Sequence, residues 1–354
     1  MGPLTGIRIV DVSRLLPGPF CSWYLASLGA EVVRVDPPRG GDYSRTLPPV
    51  VDGIGVFYTC IHRGKRSVSL DLRNPASHTA FHALLDSADV LLEGFKPGTL
   101  ARSGLAPETL LQRHERLLVA SITGYGQEGP LAQEPGHDLN YQGFAGVVAA
   151  AGTEQPYPVQ VADVAGGALT AALSICAALL GRERGTLDRR WLDISMADGT
   201  LGLMAPHLAA AQAEGRALRP GGEMLTGGIP SYRAYRCADG RWLCVGALEP
   251  KFLAALMQQA GGPPSADLFL SRPRDAWVEL LQGCCVSAAL EPDEVARHPH
   301  FAPRFDAIGG IPMARAPFPW ATSTSVAPPG QHTREILEPL GVDVQGLIDV
   351  GVSL

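Results

Sequence analysis

Residues 7–12 (IRIVDV), the segment 19–29 (PFCSWYLASLG) and residues 31–36 (EVVRVD) decide the fold. Two β-branched runs flank a segment whose apolar residues recur at helical spacing and which Gly29 closes, so the chain opens as a β-α-β unit. The pattern then recurs: 67–72 (SVSLDL), a helix from Pro75 to Ser87, 89–95 (DVLLEGF), a helical stretch near Pro107 to His114, and 117–124 (LLVASITG). Strands that alternate with helices imply an α/β fold with a parallel sheet. Such sheets bind ligands beyond the carboxyl ends of their strands, which places the loops after Asp36, Glu93 and Thr123 on one functional rim.

Farther along, Asp163 opens an Ala/Leu helix to about Leu180, residues 191–196 (WLDISM) form a strand, and a second Ala-rich helix runs from about Asp198 to Glu214. The glycine-rich stretch 216–228 reads as a linker, and residues 231–247 read as a hairpin turning at Ala238-Asp239-Gly240 that begins a second domain. Helices are expected near Lys251 to Gly261, Ala276 to Gln282 and Asp293 to Arg297. A proline-rich segment then leads to a final helix around Thr333 to Leu340.

The chain has 354 residues, enough for about two domains. With 46% apolar and 18% charged residues its balance is globular, and 29 Lys and Arg against 35 Asp and Glu leave no basic excess to neutralise a nucleic acid. Seven cysteines (21, 60, 176, 237, 244, 284 and 285) show no CxxC spacing, and no export segment precedes Gly6, so reduced thiols in the cytoplasm are expected. The longest strongly apolar run, 168–180, falls short of the roughly 20 residues of a membrane span. No lipidation or targeting signal is expected at either terminus.

Residues 124–129 (GYGQEG) have the spacing of a dinucleotide fingerprint and follow a strand, but residues 130–135 (PLAQEP) replace the apolar helix that would aim at a pyrophosphate. Prolines 17 and 19 occupy the first β-α turn, where such a site needs glycines. A nicotinamide cofactor is therefore not expected. His78 with His82, and His298 with His300, lack metal-ligand spacing, and no serine-hydrolase elbow, P-loop or zincin helix is present. Cys284-Cys285 reads as local packing. Three places remain: His137-Asp138 on a turn just past the rim, Asp163 alone in the uncharged sequence 161–167 (VADVAGG), and Glu249 at a strand end. Helix capping and chemistry are both open readings of each.

At these residues the chain resembles the family III CoA-transferase superfamily (CaiB/BaiF type), and within it the α-methylacyl-CoA racemases. The ordered series runs nearly the full length: 6–20 (GIRIVDVSRLLPGPF), 28–38, 62–72, 88–98, 121–130, 136–141 (GHDLNY), 161–167, 191–199, 227–250 and 330–337 (GQHTREIL). Transferases of the group show Gly-Tyr-Asp where this chain has Gly136-His137-Asp138, which favours the racemase.

The resemblance implies a large Rossmann-like CoA-binding domain (1–195), a linker helix and loop (196–226), a small α+β domain (227–310) and a C-terminal segment (311–354) that returns to the large domain. Two chains would interlock as a homodimer, with Glu249 meeting His137 in trans. It implies inversion of the α-carbon of a 2-methylacyl-CoA through an enolate, with His137 and Asp163 as bases on opposite faces and Glu249 orienting the histidine. A main-chain amide near Asp138 would stabilise the enolate. Arg39, Lys65, Arg66 and Lys96 would meet the CoA phosphates, and Asp138 and Tyr141 the pantetheine arm or adenine. No metal or other cofactor is implied, because CoA arrives with the substrate. Two alternatives stand beside it: a CoA-transferase working through an acyl anhydride on Asp163, and an inactive acyl-CoA-binding relative.

Overall fold

The computed structural model describes residues 1–321 and 325–354. They divide into two compact units, one built from 1–145, 156–204 and 306–354, the other from 146–155 and 205–305.

The first unit is organised by six strands: β1 (Arg8–Asp11), β2 (Glu31–Asp36), β3 (Arg66–Ser69), β4 (Val90–Glu93), β5 (Leu118–Thr123) and β6 (Trp191–Ser195). They lie in the order β3-β2-β1-β4-β5-β6, and every pairing is parallel. Such strands are covered on both faces, so they read as continuous apolar runs, and successive side chains serve opposite layers. Ile9, Val32, Val90, Leu92 and Leu118 point into one core with Leu25 and Ile175. Their neighbours Val10, Val33, Leu91 and Val119 point into the other, with Phe81, Leu84 and Leu337.

The strand order reverses between β1 and β4. Helix α1 (Pro17–Ser27) links β1 to β2, and Pro17, Gly18 and Pro19 form its first turn. Proline fits there because those N–H groups have no intrahelical acceptor. Residues 330–354 close the exposed edge of β3: Ser67 donates to His332 Nδ1 (3.1 Å), Ser69 N–H to Thr333 Oγ1 (2.9 Å), and Asp71 N–H to the Val352 carbonyl (2.9 Å). An unpaired sheet edge is thereby satisfied within the chain.

Ala162–Arg184 is one helical stretch, long and apolar enough to cross a membrane by length and composition, with a mean hydropathy of 1.9 over its most apolar window. It is longer than the apolar run at 168–180 suggests, because it begins as a π-helix over Ala162–Leu169 and continues as an α-helix over Thr170–Arg184. Ala168, Ala171, Ile175 and Ala178 bury one side against the sheet.

In the second unit a three-stranded antiparallel sheet holds Tyr232–Arg236, Trp242–Gly246 and Val286–Ala288, with the middle segment central. Trp277, Phe269, Leu256 and Leu243 fill its core. Arg274 grips Glu294 through both terminal nitrogens, at 2.7 and 2.9 Å.

Several short helices escape the sequence reading, among them Val56–His62, Asp138–Phe144 and Val344–Asp349. Helices this short are unstable alone, and tertiary packing rather than propensity makes them.

Candidate active site

In an open parallel sheet the crevice lies where the strand order reverses, beyond the carboxyl ends of the two central strands. Here those ends lead into 12–16 and 94–97, and a cleft of about 740 Å³ opens between them, extended by the loops after β5. Arg14 lies over the Phe95 ring at 5.3 Å, spanning the reversal point. Leu15 lines the cleft with a left-handed backbone (φ 67). Asp42 holds that turn by accepting the Leu15 N–H at 2.7 Å. Desolvation works against ionisation of Asp42, but hydrogen bonds from His62, Ser44 and Leu15 outweigh it and hold the carboxyl down at about 2.

His137 and Asp163 line this same cleft, brought together from separate elements. His137 is the N-cap of α2 (Asp138–Phe144), and its N–H donates to Asn140 Oδ1 at 3.0 Å. The loop before it is shaped by Tyr141, whose ring is buried and whose hydroxyl donates to the Gly136 carbonyl at 2.6 Å. A Cβ on Gly124 would stand 2.5 Å from that ring and one on Gly136 2.7 Å, so both positions require glycine. The glycines of 124–129 therefore serve this brace and the turns around it, and no helix follows them.

Asp163 sits in the first turn of the π-helical stretch. Gly166 lies so close to the following helix α3 (Met196–Ala213) that a Cβ there would meet the Met196 carbonyl at 2.6 Å. Burial first, and the Asp138 carboxylate second, raise the Asp163 carboxyl from the usual range to about 7. Near neutrality it both holds and releases a proton, which is what general acid-base chemistry asks of it.

The residues expected to hold CoA separate into two groups. Lys96 lines the main cleft, and Arg39 lines a second pocket of about 380 Å³ beside it, to which Arg14, Arg73, Thr99 and Ser103 also contribute. Arg14 and Phe95 border both pockets. Lys65 is instead fully buried, donating to the Pro19 carbonyl at 2.8 Å and lying 3.5 Å from Asp11. Desolvation lowers its ammonium to about 8. Arg66, at the start of β3, faces away from the rim and bridges Glu31 and Glu335, each at 2.7 Å. Tyr141 is committed to the brace. Both oxygens of Asp138 are occupied: Oδ1 accepts the Ala162 and Asp163 N–H groups (2.8 and 3.1 Å), and Oδ2 accepts from Gln142 (2.5 Å). The polar atoms of these four are engaged within the chain, although Tyr141 still lines the main cleft. A basic residue near a rim in sequence need not point at it, because the strand stagger decides.

Sequence reasoning missed Arg14, Arg73, Asn140 and Asp42. Asn140 was visible in principle as a capping partner three residues after His137. Glu249 is exposed in the second unit, as the N-cap of the helix Pro250–Ala260. Among the described residues no group of three or more His, Cys, Asp or Glu is placed to hold a metal ion.

Comparison with known proteins shows the family. Human α-methylacyl-CoA racemase is 36% identical over 96% of this chain and 93% of its own. Acetyl-CoA:oxalate CoA-transferase of Acetobacter aceti is also 36% identical, over 61% of this chain and 56% of its own. The crystal structure of a CAIB/BAIF family protein from Brucella suis superposes with a TM-score of 0.83 at 26% identity, covering 96% of this chain and 99% of that one. The sequence model of CoA-transferase family III matches residues 4–333, and the chain belongs to that family.

Proposed function

We propose that this protein inverts the α-carbon of 2-methylacyl-CoA thioesters, with His137 and Asp163 exchanging the proton on opposite faces of a planar enolate. The observation that carries the reading is an imidazole and a carboxyl of near-neutral proton affinity lining one cleft. Deprotonation next to a thioester needs a base on one side and an acid on the other, and reversal of the reaction needs each to serve in both states. A carboxyl balanced at about 7 does this. An anhydride-forming nucleophile works as the anion, and burial beside Asp138 opposes that form, so the same observation weighs against the CoA-transferase alternative. CoA-transferases among the relatives keep that alternative as the outcome to be tested against.

In this reading the enolate oxygen faces the Asp138 N–H at the start of α2, where a helix cannot pair its first donors internally. The CoA handle lies across Arg14, with its phosphates toward Arg39 and Lys96. No bound cofactor takes part, and CoA leaves with the product.

The protein acts as a homodimer in the cytoplasm, where its seven free cysteines stay reduced. Leu169, Leu173 and Leu180 leave an apolar stripe exposed on the long helix, at 39, 73 and 51%, and a second copy is the occupant we assign to it. Glu249 of the second copy then orients His137.

The deciding experiment incubates a 2-methylacyl-CoA in deuterium oxide with no carboxylic acid acceptor. Deuterium entering the α-position supports the reading. CoA exchange appearing only with an added acid, with hydroxylamine trapping an acyl group on Asp163, selects the transferase.

A further inference from the structure

The two proton carriers belong to segments 26 positions apart in the chain, yet their separation must be held within about half an ångström for transfer to a shared carbon. One side chain spans the gap. Asp138 follows His137 directly and sits at the first position of α2, so its backbone moves with that of the histidine. Its Oδ1 accepts the N–H groups of Ala162 and of Asp163 itself, at 2.8 and 3.1 Å. Its Oδ2 is held at 2.5 Å by the Gln142 amide, one turn along the same helix, and Gln142 is buried. The donor end of this tie is the opening of a π-helical turn, a wide arrangement that proteins keep mostly at functional positions.

We infer that Asp138 is a positioning residue: it fixes the backbone of Asp163 relative to that of His137 and sets the negative charge that Asp163 faces. This rests on the two-base reading above, but its electrostatic half does not need turnover to be measured. Two consequences differ. The hydrogen bonds require an acceptor at 138, whereas the effect on the Asp163 proton requires a charge. Asn at 138 keeps the first and removes the second. Gln142 tolerates it, because its Oε1 is buried without a partner, and turning the amide over offers that oxygen to the new Asn Nδ2.

The test compares Asp138→Asn and Asp138→Ala with the wild type. In the free protein, NMR titration of the Asp163 carboxyl carbon, assigned with Asp163→Asn, reports its proton affinity without any assumption about the reaction. Asp138→Asn is expected to shift that midpoint down from about 7 by half a unit or more. For turnover, Asp138→Ala is expected to lower kcat about 100-fold, the effect of an ångström-scale misplacement, with KM within threefold. Asp138→Asn is expected to recover most of that loss while moving the pH profile downward. An unmoved Asp163 midpoint in Asp138→Asn, or a kcat within threefold of wild type in Asp138→Ala, overturns the inference. If the wild type proves to be a transferase, the two-base reading fails, and the titration still decides the role of Asp138.

Discussion

Replacing Asp163 by asparagine should make the protein more stable, and only above a certain pH. The folded state raises this carboxyl to about 7 from an ordinary value of 3.8, by burial and by the facing Asp138. Between those two values the folded protein holds a proton that the unfolded chain has released, so stability falls as pH rises through that window. Above both values the full cost is present; below both it vanishes. About three units at roughly 1.4 kcal/mol each give about 4 kcal/mol as the upper end. Asparagine keeps the shape and carries no charge, so it removes this cost. Urea midpoints of Asp163→Asn and wild type, at one protein concentration, should agree near pH 4 and diverge in favour of the variant by pH 8. Equal midpoints at pH 8, or the same gain at both pH values, would mean that the Asp163 charge carries no such cost. A gain in stability alongside lost turnover is the signature of a group kept strained for function.

Further outcomes follow from the same geometry. His137→Ala should lose two-way inversion by roughly 10²- to 10⁴-fold while α-proton exchange from one enantiomer persists through Asp163, measured by NMR on separate enantiomers. Arg39→Ala should raise KM for a CoA thioester about tenfold or more with kcat nearly unchanged, the worth of a charged hydrogen bond to phosphate. Lys65→Met should do the reverse, costing about 3–5 kcal/mol of stability by leaving the buried Asp11 carboxylate without its cation, with KM in the remaining folded protein unaltered. Leu173→Glu should shift the mass seen by light scattering from dimer to monomer, since it puts a charge on the exposed stripe; an unchanged mass would remove that helix from the interface.

Much of the first unit can be read from its residues because parallel strands are covered on both faces. Val90 to Leu92 and Leu118 to Ala120 have no polar alternation, the trace that a doubly covered strand leaves. The reversal of strand order at β1 and β4 is not local information, since it depends on which strands pair, and it is what makes Arg14 and Phe95 neighbours across the rim. The candidate bases were legible as titratable groups in sequence poor in other charge. Their supports were not: Tyr141 and Asp138 look like ligand contacts in sequence, and only the fold reveals that their polar atoms are spent on Gly136, Ala162 and Asp163. Lys65 and Arg66 make internal contacts for a related reason. A cation next to a rim-directed strand has no direction in the sequence, and Lys65 turns inward to Asp11 while Arg66 turns to Glu31.

In the two-base reading, two different groups carry the proton on the two faces of one carbon. A single enantiomer of a 2-methylacyl-CoA, turned over in deuterium oxide and quenched in the first few per cent of conversion, tests it most directly. Deuterium is expected at the α-carbon of the inverted product while the recovered starting enantiomer remains protiated. Deuterium entering both enantiomers equally from the first time point would mean a single base serving both faces, and would contradict the pairing of His137 with Asp163.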